Sequence, residues 1–269
     1  MPNAHASRGR PEVLEAQGAP CKCRVAVLVP ARNEAATIQD VVRRATLALR
    51  GMGLGPKDAV IFVIADRCDD GTPELAAAAG AVVVQTPPRE AGLGNAYRRG
   101  VTAALDWGAE FIVHIDGDGQ YCADDIGRLL RTVLAGRADI VIGDRLGDRP
   151  DWMPPSRFFA NKVASRIVLA GLKCARVDAQ SGFRVFTADV AANCHVRGSY
   201  TYTHEQLLAA VGKGYRVKSI PVSFLVRSHG QSRLASSILK YSVLTASTIV
   251  RVRLARLFMV SRRFVDQLC

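Results

Sequence analysis

The strongest constraint on the fold is an alternation. Short runs rich in β-branched residues recur along residues 24–143, each followed by a polar turn, and helical segments separate most of them. The first run is Arg24-Val25-Ala26-Val27-Leu28-Val29-Pro30. The others are Ala59 to Ile64, Gly80 to Val84, Glu110 to Ile115 and Asp139 to Gly143. Runs of this length without polar alternation fit strands buried on both faces. Residues 35–50, 92–108 and 123–136 carry helical spacing. Strands alternating with helices predict an α/β domain with a mostly parallel central sheet flanked by helices. Ligands bind such sheets beyond the carboxyl ends of the strands. The polar clusters fall there: Arg32-Asn33-Glu34 after the first run, Asp66 after the second, Asp116 and Asp118 after the fourth.

The second half is less regular. Residues 157–170 read as a helix, and Ser181 to Phe186 and Tyr215 to Val226 as strands punctuated by Gly182 and Pro221. Three regions follow from these changes in pattern: a flexible leader over 1–23, a catalytic domain over 24–233, and a basic amphipathic helical segment over 234–269. In the last, Leu239, Val243, Ala246, Val250, Leu254, Leu257, Phe264 and Leu268 line one face, interrupted at Ser261. Residues 233–269 hold seven Lys or Arg and a single acid, Asp266. That segment either packs on the catalytic domain or a partner subunit, or lies on an anionic membrane surface.

The formal net charge of +12 favours anionic partners. No nucleic-acid motif or aromatic platform accompanies it, so nucleic acid is not an expected partner. The seven cysteines follow no disulfide framework, and Cys21-Lys22-Cys23 lacks the second ligand pair that structural zinc usually shows. The chain reads as cytoplasmic, with no apolar signal region and no stretch long enough to span a bilayer. Any membrane contact is therefore peripheral, at the inner face, and oligomeric state is open.

The chemistry centres on Ile115-Asp116-Gly117-Asp118-Gly119-Gln120. Two carboxylates one residue apart past a buried strand need partners, and Mg²⁺ or Mn²⁺ prefers such oxygen ligands. Gly117 allows close approach of a ligand. The plain alternative is an Asp-Gly turn. Pro30-Ala31-Arg32-Asn33-Glu34 fits a ligand loop or a helix start with Asn33 as cap. Gly92-Leu93-Gly94 opens a helix and suits a phosphate or is a simple turn. Arg157, Arg184 and Arg227 are candidate phosphate clamps or surface residues. Glu205 is a general base or a carboxylate favoured by a helix N-terminus. His114, inside the fourth run, reads as a core histidine.

Taken in order, these segments resemble the inverting glycosyltransferases of family 2, which have the GT-A, Rossmann-like fold. The matching pieces are Val29 to Glu34, Asp66 to Thr72, Gly92 to Tyr97, Asp116 to Gln120, Val141 to Arg145, Asp178 to Arg184 and Ile220-Pro221-Val222. Within that family the sequence is most similar to dolichyl- and polyprenyl-phosphate mannose synthases, through Gly92-Leu93-Gly94-Asn95-Ala96-Tyr97, Trp152 with Arg157, Ser181 to Arg184, and Arg227 with Gly230-Gln231-Ser232-Arg233. The resemblance implies a nucleotide-sugar donor, a lipid phosphate acceptor, and a divalent metal held by Asp116 and Asp118. It implies a nucleotide pocket at Pro30, Arg32, Glu34 and Asp66, with Gln120 beside the metal and Arg227 on a phosphate. A soluble family member acting on a saccharide or small-molecule hydroxyl is the alternative, and Glu205 is then the candidate base. Ala65 departs from the paired acids of many relatives, and Arg233 from their lysine.

Overall fold

The structure, a computed structural model, describes residues 23–147, 149–170, 177–198 and 201–227. The leader up to Lys22, with Cys21, and the basic segment 234–269, with Gly230 to Arg233 before it, lie outside the described residues.

The first half unfolds as expected in strand–helix alternation. The order is β1 (Val25–Ala31), α1 (Ile38–Arg50), β2 (Ala59–Ala65), α2 (Thr72–Ala78), β3 (Val82–Gln85), α3 (Leu93–Asp106), β4 (Phe111–His114), α4 (Ile126–Leu134) and β5 (Ile140–Asp144). There follow α5 (Pro155–Leu169), β6 (Arg184–Thr187), α6 (Ala188–Asn193), α7 (Tyr202–Gly212) and β7 (Val217–Pro221). The seven strands form one sheet in the order β3-β2-β1-β4-β6-β5-β7. All pairings are parallel except those of β6, which runs antiparallel to both β4 and β5.

Every residue of β1 is buried, because helices cover both sides of the sheet. Val25, Val27 and Val29 join one core with Ile38, Val42 and Leu129, whereas Ala26 and Leu28 join another with Tyr97, Phe186 and Leu207. The period of two along the strand thus divides one short run between two cores. Burying a side chain such as Leu28 contributes about 1.5–3 kcal/mol.

Two features of topology position the site. The chain leaves β1 toward β2 and β3, then returns through α3 to β4 on the opposite side of β1. This order change opens a crevice between the carboxyl ends of β1 and β4, where open α/β sheets bind ligands. The reversed β6 is the second feature. His114 at the end of β4 pairs with Arg184 at the start of β6. The segment entering β6 therefore crosses the rim of the sheet, next to the acids that follow β4.

Candidate active site

Asp116 and Asp118 sit at the rim of β4 on a loop locked to β1. Ile115 N–H donates to the Leu28 carbonyl at 3.0 Å, and Thr37 Oγ1 donates to the Gly117 carbonyl at 2.8 Å. A Cβ at Gly117 would stand 3.1 Å from the Pro30 carbonyl oxygen, so glycine lets the loop press against the end of β1. Asp118 is 8% exposed, and one of its oxygens accepts from Gln120 N–H at 3.0 Å. The other accepts from the Arg227 guanidinium. Loss of water, and then the neighbouring Asp116 charge, push Asp118 up to about 6. Burial also raises Asp116, against the pull of Arg145, Arg227 and Arg184. Two carboxylates held this way favour a cation between or beside them.

Arg227 is brought in by the strand at the far edge. Past β7 the chain runs along the rim: Val222 N–H donates to the Asp144 carbonyl at 3.0 Å and Leu225 N–H to the Gln120 carbonyl at 2.7 Å. Gln120 Nε2 returns a bond to the Leu225 carbonyl at 3.2 Å, and its Oε1 accepts from Arg227 Nε at 3.4 Å. Arg227 also lies 4.0 Å from Glu34. Glu34, Asp118, Gln120 and Arg227 are thus brought together from three loops.

The β1–α1 loop is stitched to the loop after β2. Glu34 N–H donates to Thr72 Oγ1 at 2.8 Å and Ala35 N–H to Asp70 at 3.1 Å. Asn33 has φ 58° and exchanges hydrogen bonds with Asp69. It is therefore not the cap of α1, which begins at Ile38 after Thr37. Arg32 is half-buried, and its Nε is enclosed without a hydrogen-bond partner. A buried donor without an acceptor is costly and marks a place where a ligand oxygen fits. Pro30 is buried at the end of β1.

Several candidates have other occupations. Asp66 accepts from Thr86 Oγ1 and from Gly92 N–H, each at 3.0 Å, joining β2 to the entry of α3. Gly92 N–H is accordingly engaged by Asp66 rather than offered to a phosphate, and Gly94 lies buried in the first turn of α3. Arg184 corrects the expectation of a phosphate clamp. It is fully buried and donates to the carbonyls of Ser181, Thr203 and Ala179 and to Gln206 Oε1, at 2.6–3.3 Å. Arg157 stands exposed in the first turn of α5. Glu205 is buried, and its carboxylate accepts from Arg197 N–H at 2.6 Å, Gly198 N–H at 3.0 Å and Thr201 Oγ1 at 3.1 Å. That arrangement ties down the turn ahead of α7. His114 is a core residue: its Nδ1 lies 2.7 Å from the Gly182 carbonyl, and burial draws it down to about 4.

Arg145, the last residue of the Val141-to-Arg145 segment, also stands at this rim. Arg145 follows β5 and is held bidentately by the buried Asp178 at 2.6 and 3.1 Å. It lies over the Phe224 ring at 5.2 Å and close enough to Asp116 to hold that carboxyl down. The rule that found the acids, polar residues just past a strand end, points to it equally.

The carboxylate pair fits a hard divalent cation. Among the described residues no three His, Cys, Asp or Glu side chains converge as a self-sufficient metal site. Mg²⁺ needs no such cage, since it commonly binds one or two carboxylates and takes its other ligands from water and substrate phosphates.

Known proteins share this architecture. The family model described as glycosyl transferase family 2 matches residues 26–190. Polyprenol monophosphomannose synthase of Mycolicibacterium smegmatis is 28% identical over 246 residues, covering 87% of this chain and 89% of that protein. Undecaprenyl-phosphate mannosyltransferase of Micrococcus luteus is 27% identical, covering 83% of this chain and 93% of that protein. The low-salt glycan biosynthesis hexosyltransferase Agl6 of Haloferax volcanii is 29% identical over 79% of this chain, which spans 50% of that longer protein. Among solved structures, glucosyl-3-phosphoglycerate synthase from Mycobacterium tuberculosis with Mn²⁺, UDP-glucose and phosphoglyceric acid superposes with a TM-score of 0.62 at 21% identity, covering 87% of this chain and 79% of that one. A match over more than half of the chain, on a sheet of the same build, identifies the molecule: it has the GT-A fold and is a glycosyltransferase belonging to glycosyl transferase family 2.

Proposed function

We propose that this enzyme transfers a hexose, mannose or a glucose-like sugar, from a nucleotide-sugar to a polyprenyl phosphate with inversion, using Mg²⁺ or Mn²⁺ held by Asp116 and Asp118. The observation that carries the donor side is the pair of carboxylates at the β1–β4 crevice, both raised by burial and facing arginines. When bound, the cation supplies neutralisation of the negative charge that gathers on the departing nucleoside diphosphate.

This chain's own residues do the rest. In the reaction, an acceptor phosphate oxygen forms the new bond to the anomeric carbon as the bond from that carbon to the diphosphate oxygen breaks. Arg32 offers its unpartnered Nε to the donor, beside Glu34 and Pro30. Arg227, on the far lip, can turn its planar fork from Asp118 to a phosphate. Arg145, braced by Asp178, adds a fixed positive charge near Asp116. A phosphate acceptor is already anionic near neutral pH, so no proton need be removed. That suits a site in which Glu205 is occupied by three donors.

Two observations support a lipid-borne acceptor. The relatives named for polyprenol or undecaprenyl phosphate match 83–87% of this chain. In addition, α5 exposes Phe159, Val163 and Ile167 at a spacing of four, with Arg157, Lys162 and Arg166 and no acid on the same helix. Trp152, just before α5, donates from Nε1 to the Phe224 carbonyl at 3.3 Å, which ties the segment leading into this helix to the stretch past β7 that carries Arg227. An apolar stripe with basic flanks suits the surface of an anionic membrane. No helix among the described residues is long and apolar enough to cross one.

The test is a transfer assay with nucleotide-sugars and Mg²⁺ or Mn²⁺, offering a polyprenyl phosphate, a small phosphorylated acid and free sugars as acceptors. Transfer to the lipid phosphate is expected, and Asp118→Asn should reduce it by at least ~10²-fold. Full activity in that variant would remove the metal assignment. Transfer confined to the small acceptors would replace the lipid reading with the soluble one.

A further inference from the structure

The segment entering β6 lies directly against Asp116, and its glycine is needed for space. An ideal Cβ at Gly182 would stand 2.8 Å from both Asp116 carboxylate oxygens and 3.1 Å from Cγ. That is about 0.6 Å short of ordinary van der Waals contact, which begins at 3.4 Å. The backbone of Gly182 is not in the left-handed region, so conformation alone admits any residue. What excludes a side chain is the Asp116 carboxylate.

The Gly182 peptide is also held at both ends. Its N–H donates to Tyr121 Oη at 3.1 Å. Its carbonyl lies 2.7 Å from His114 Nδ1, and a carbonyl only accepts, so His114 carries its proton on Nδ1. Tyr121 Oη, already accepting, also shares a hydrogen bond with Ser181 Oγ at 3.2 Å. Arg184 Nε fixes the Ser181 carbonyl at 2.8 Å, and the Phe183 carbonyl accepts from Gly143 N–H at 2.9 Å. Three consecutive residues beneath one carboxylate are thus anchored by β4, β5 and the loop after Gln120. Tyr121 packs in turn against Phe183 and Phe224, with ring centroids 5.5 and 5.0 Å apart.

We infer that Gly182 is a positioning residue, a rigid floor that fixes where the Asp116 carboxylate lies, with His114 and Tyr121 holding that floor in register. The inference rests on the proposal that Asp116 is a metal ligand. It goes beyond it in assigning the geometry of that ligand to a residue whose own N–H and carbonyl are engaged by Tyr121 and His114. Partners behind a metal ligand typically change affinity 10- to 100-fold when lost. Gly182→Ala is well suited to a test, because the atoms that must yield are the ends of the Asp116 side chain. The main chain can stay in place.

The experiment titrates Mn²⁺ alone into the full-length protein and follows free Mn²⁺ by electron paramagnetic resonance. Four proteins are compared: wild type, Asp116→Ala, Gly182→Ala and the double variant, each with its thermal midpoint. Gly182→Ala is expected to bind Mn²⁺ 10- to 100-fold more weakly with an unchanged midpoint, and to add nothing once Asp116 is Ala. Tyr121→Phe keeps the ring packing and removes only the hydroxyl, so about a 3- to 10-fold loss is expected even if Gly182→Ala does not fold. Wild-type Mn²⁺ affinity in Asp116→Ala would overturn the metal reading beneath. Loss in Asp116→Ala with wild-type affinity in Gly182→Ala, or in Tyr121→Phe should Gly182→Ala not fold, would overturn this inference alone. So would an equal effect of Gly182→Ala in the Asp116→Ala background.

Discussion

Replacing Arg184 by Met separates two readings of one residue. As a phosphate clamp, Arg184 would matter to substrate and little to folding. The structure instead buries it completely and surrounds it with acceptors: the carbonyls of Ser181, Thr203 and Ala179, and the carboxamide oxygen of Gln206. Met fills much of the volume but donates nothing, so these buried oxygens lose a charged donor. Each buried acceptor left unpaired costs roughly 1–3 kcal/mol. Relaxation and the relief of desolvating a guanidinium offset part of the sum, and removing one side of a buried charged network typically costs about 3–5 kcal/mol. A domain is stable by only about 5–15 kcal/mol, so the loss is a large share. For a chain of this size it corresponds to a fall in Tm on the order of 10 °C. Urea unfolding followed by circular dichroism, together with donor KM, measures both sides. A midpoint within ~0.5 kcal/mol of wild type, with a donor KM raised tenfold or more, would refute the structural argument and restore the clamp.

Three further outcomes follow from the geometry. Glu205→Gln should cost ~1–3 kcal/mol of stability while leaving the saturated transfer rate within about threefold, because two backbone amides and Thr201 lose a charged acceptor; a ~10²-fold rate loss at unchanged stability would make Glu205 a base after all. His204 is held down at about 4, by burial first and then by nearby Arg184, from an ordinary 6.5. The unfolded chain therefore binds a proton that the folded one refuses, and stability on the order of 3 kcal/mol, full above pH 6.5, is lost as pH falls toward 4; a His204→Gln variant should show a flatter stability profile across that window. Gly92 sits at φ 122°, ψ 153°, a region open essentially to glycine alone, so Gly92→Ala should destabilise by about 1–3 kcal/mol in a denaturant titration.

The acids at the strand ends were legible because they are written in local pattern. Strands buried on both faces must be continuous apolar runs, and Val25 to Ala31 is one; an acid just beyond such a run then stands out, as Asp116 does. What could not be read depends on residues far apart in the chain. Nothing local to Arg184-Val185-Phe186 fixes its direction, which is set by pairing with β4 and β5 on either side. Arg184 has the composition of a surface residue, and only carbonyls of two separate segments, at Ala179 and Ser181 and at Thr203, give it an interior place. Asn33 has the sequence of a helix cap but spends its amide on Asp69, 36 residues away. The helix α2, Thr-Pro-Glu-Leu-Ala-Ala-Ala, is too short to show a period.

The charges at the rim argue for a second cation beside the arginines. Asp116 and Asp118 sit side by side there, and Arg227 is shared between Asp118 and Glu34. Arg145 is already paired with Asp178, and Arg184 lies within its ring of carbonyls. A diphosphate bound there, as proposed, would add negative charge beside carboxylates that are raised by burial even without it. Two like charges 4 Å apart repel by about 4 kcal/mol at the effective dielectric of such a site. Arg227 cannot serve Asp118 and a phosphate with the same guanidinium edge. If it stays on Asp118, it is not available to the diphosphate. If it moves to a phosphate, Asp118 is left buried and unpaired. On the proposed reading Asp116 and Asp118 would hold a divalent cation, which would supply positive charge at the carboxylates and leave Arg227 available to a phosphate. On that reading a titration with a nucleotide-sugar should show weak binding without added Mg²⁺ or Mn²⁺ and tighter binding with it, and equal affinity in both would refute the role given to the carboxylates.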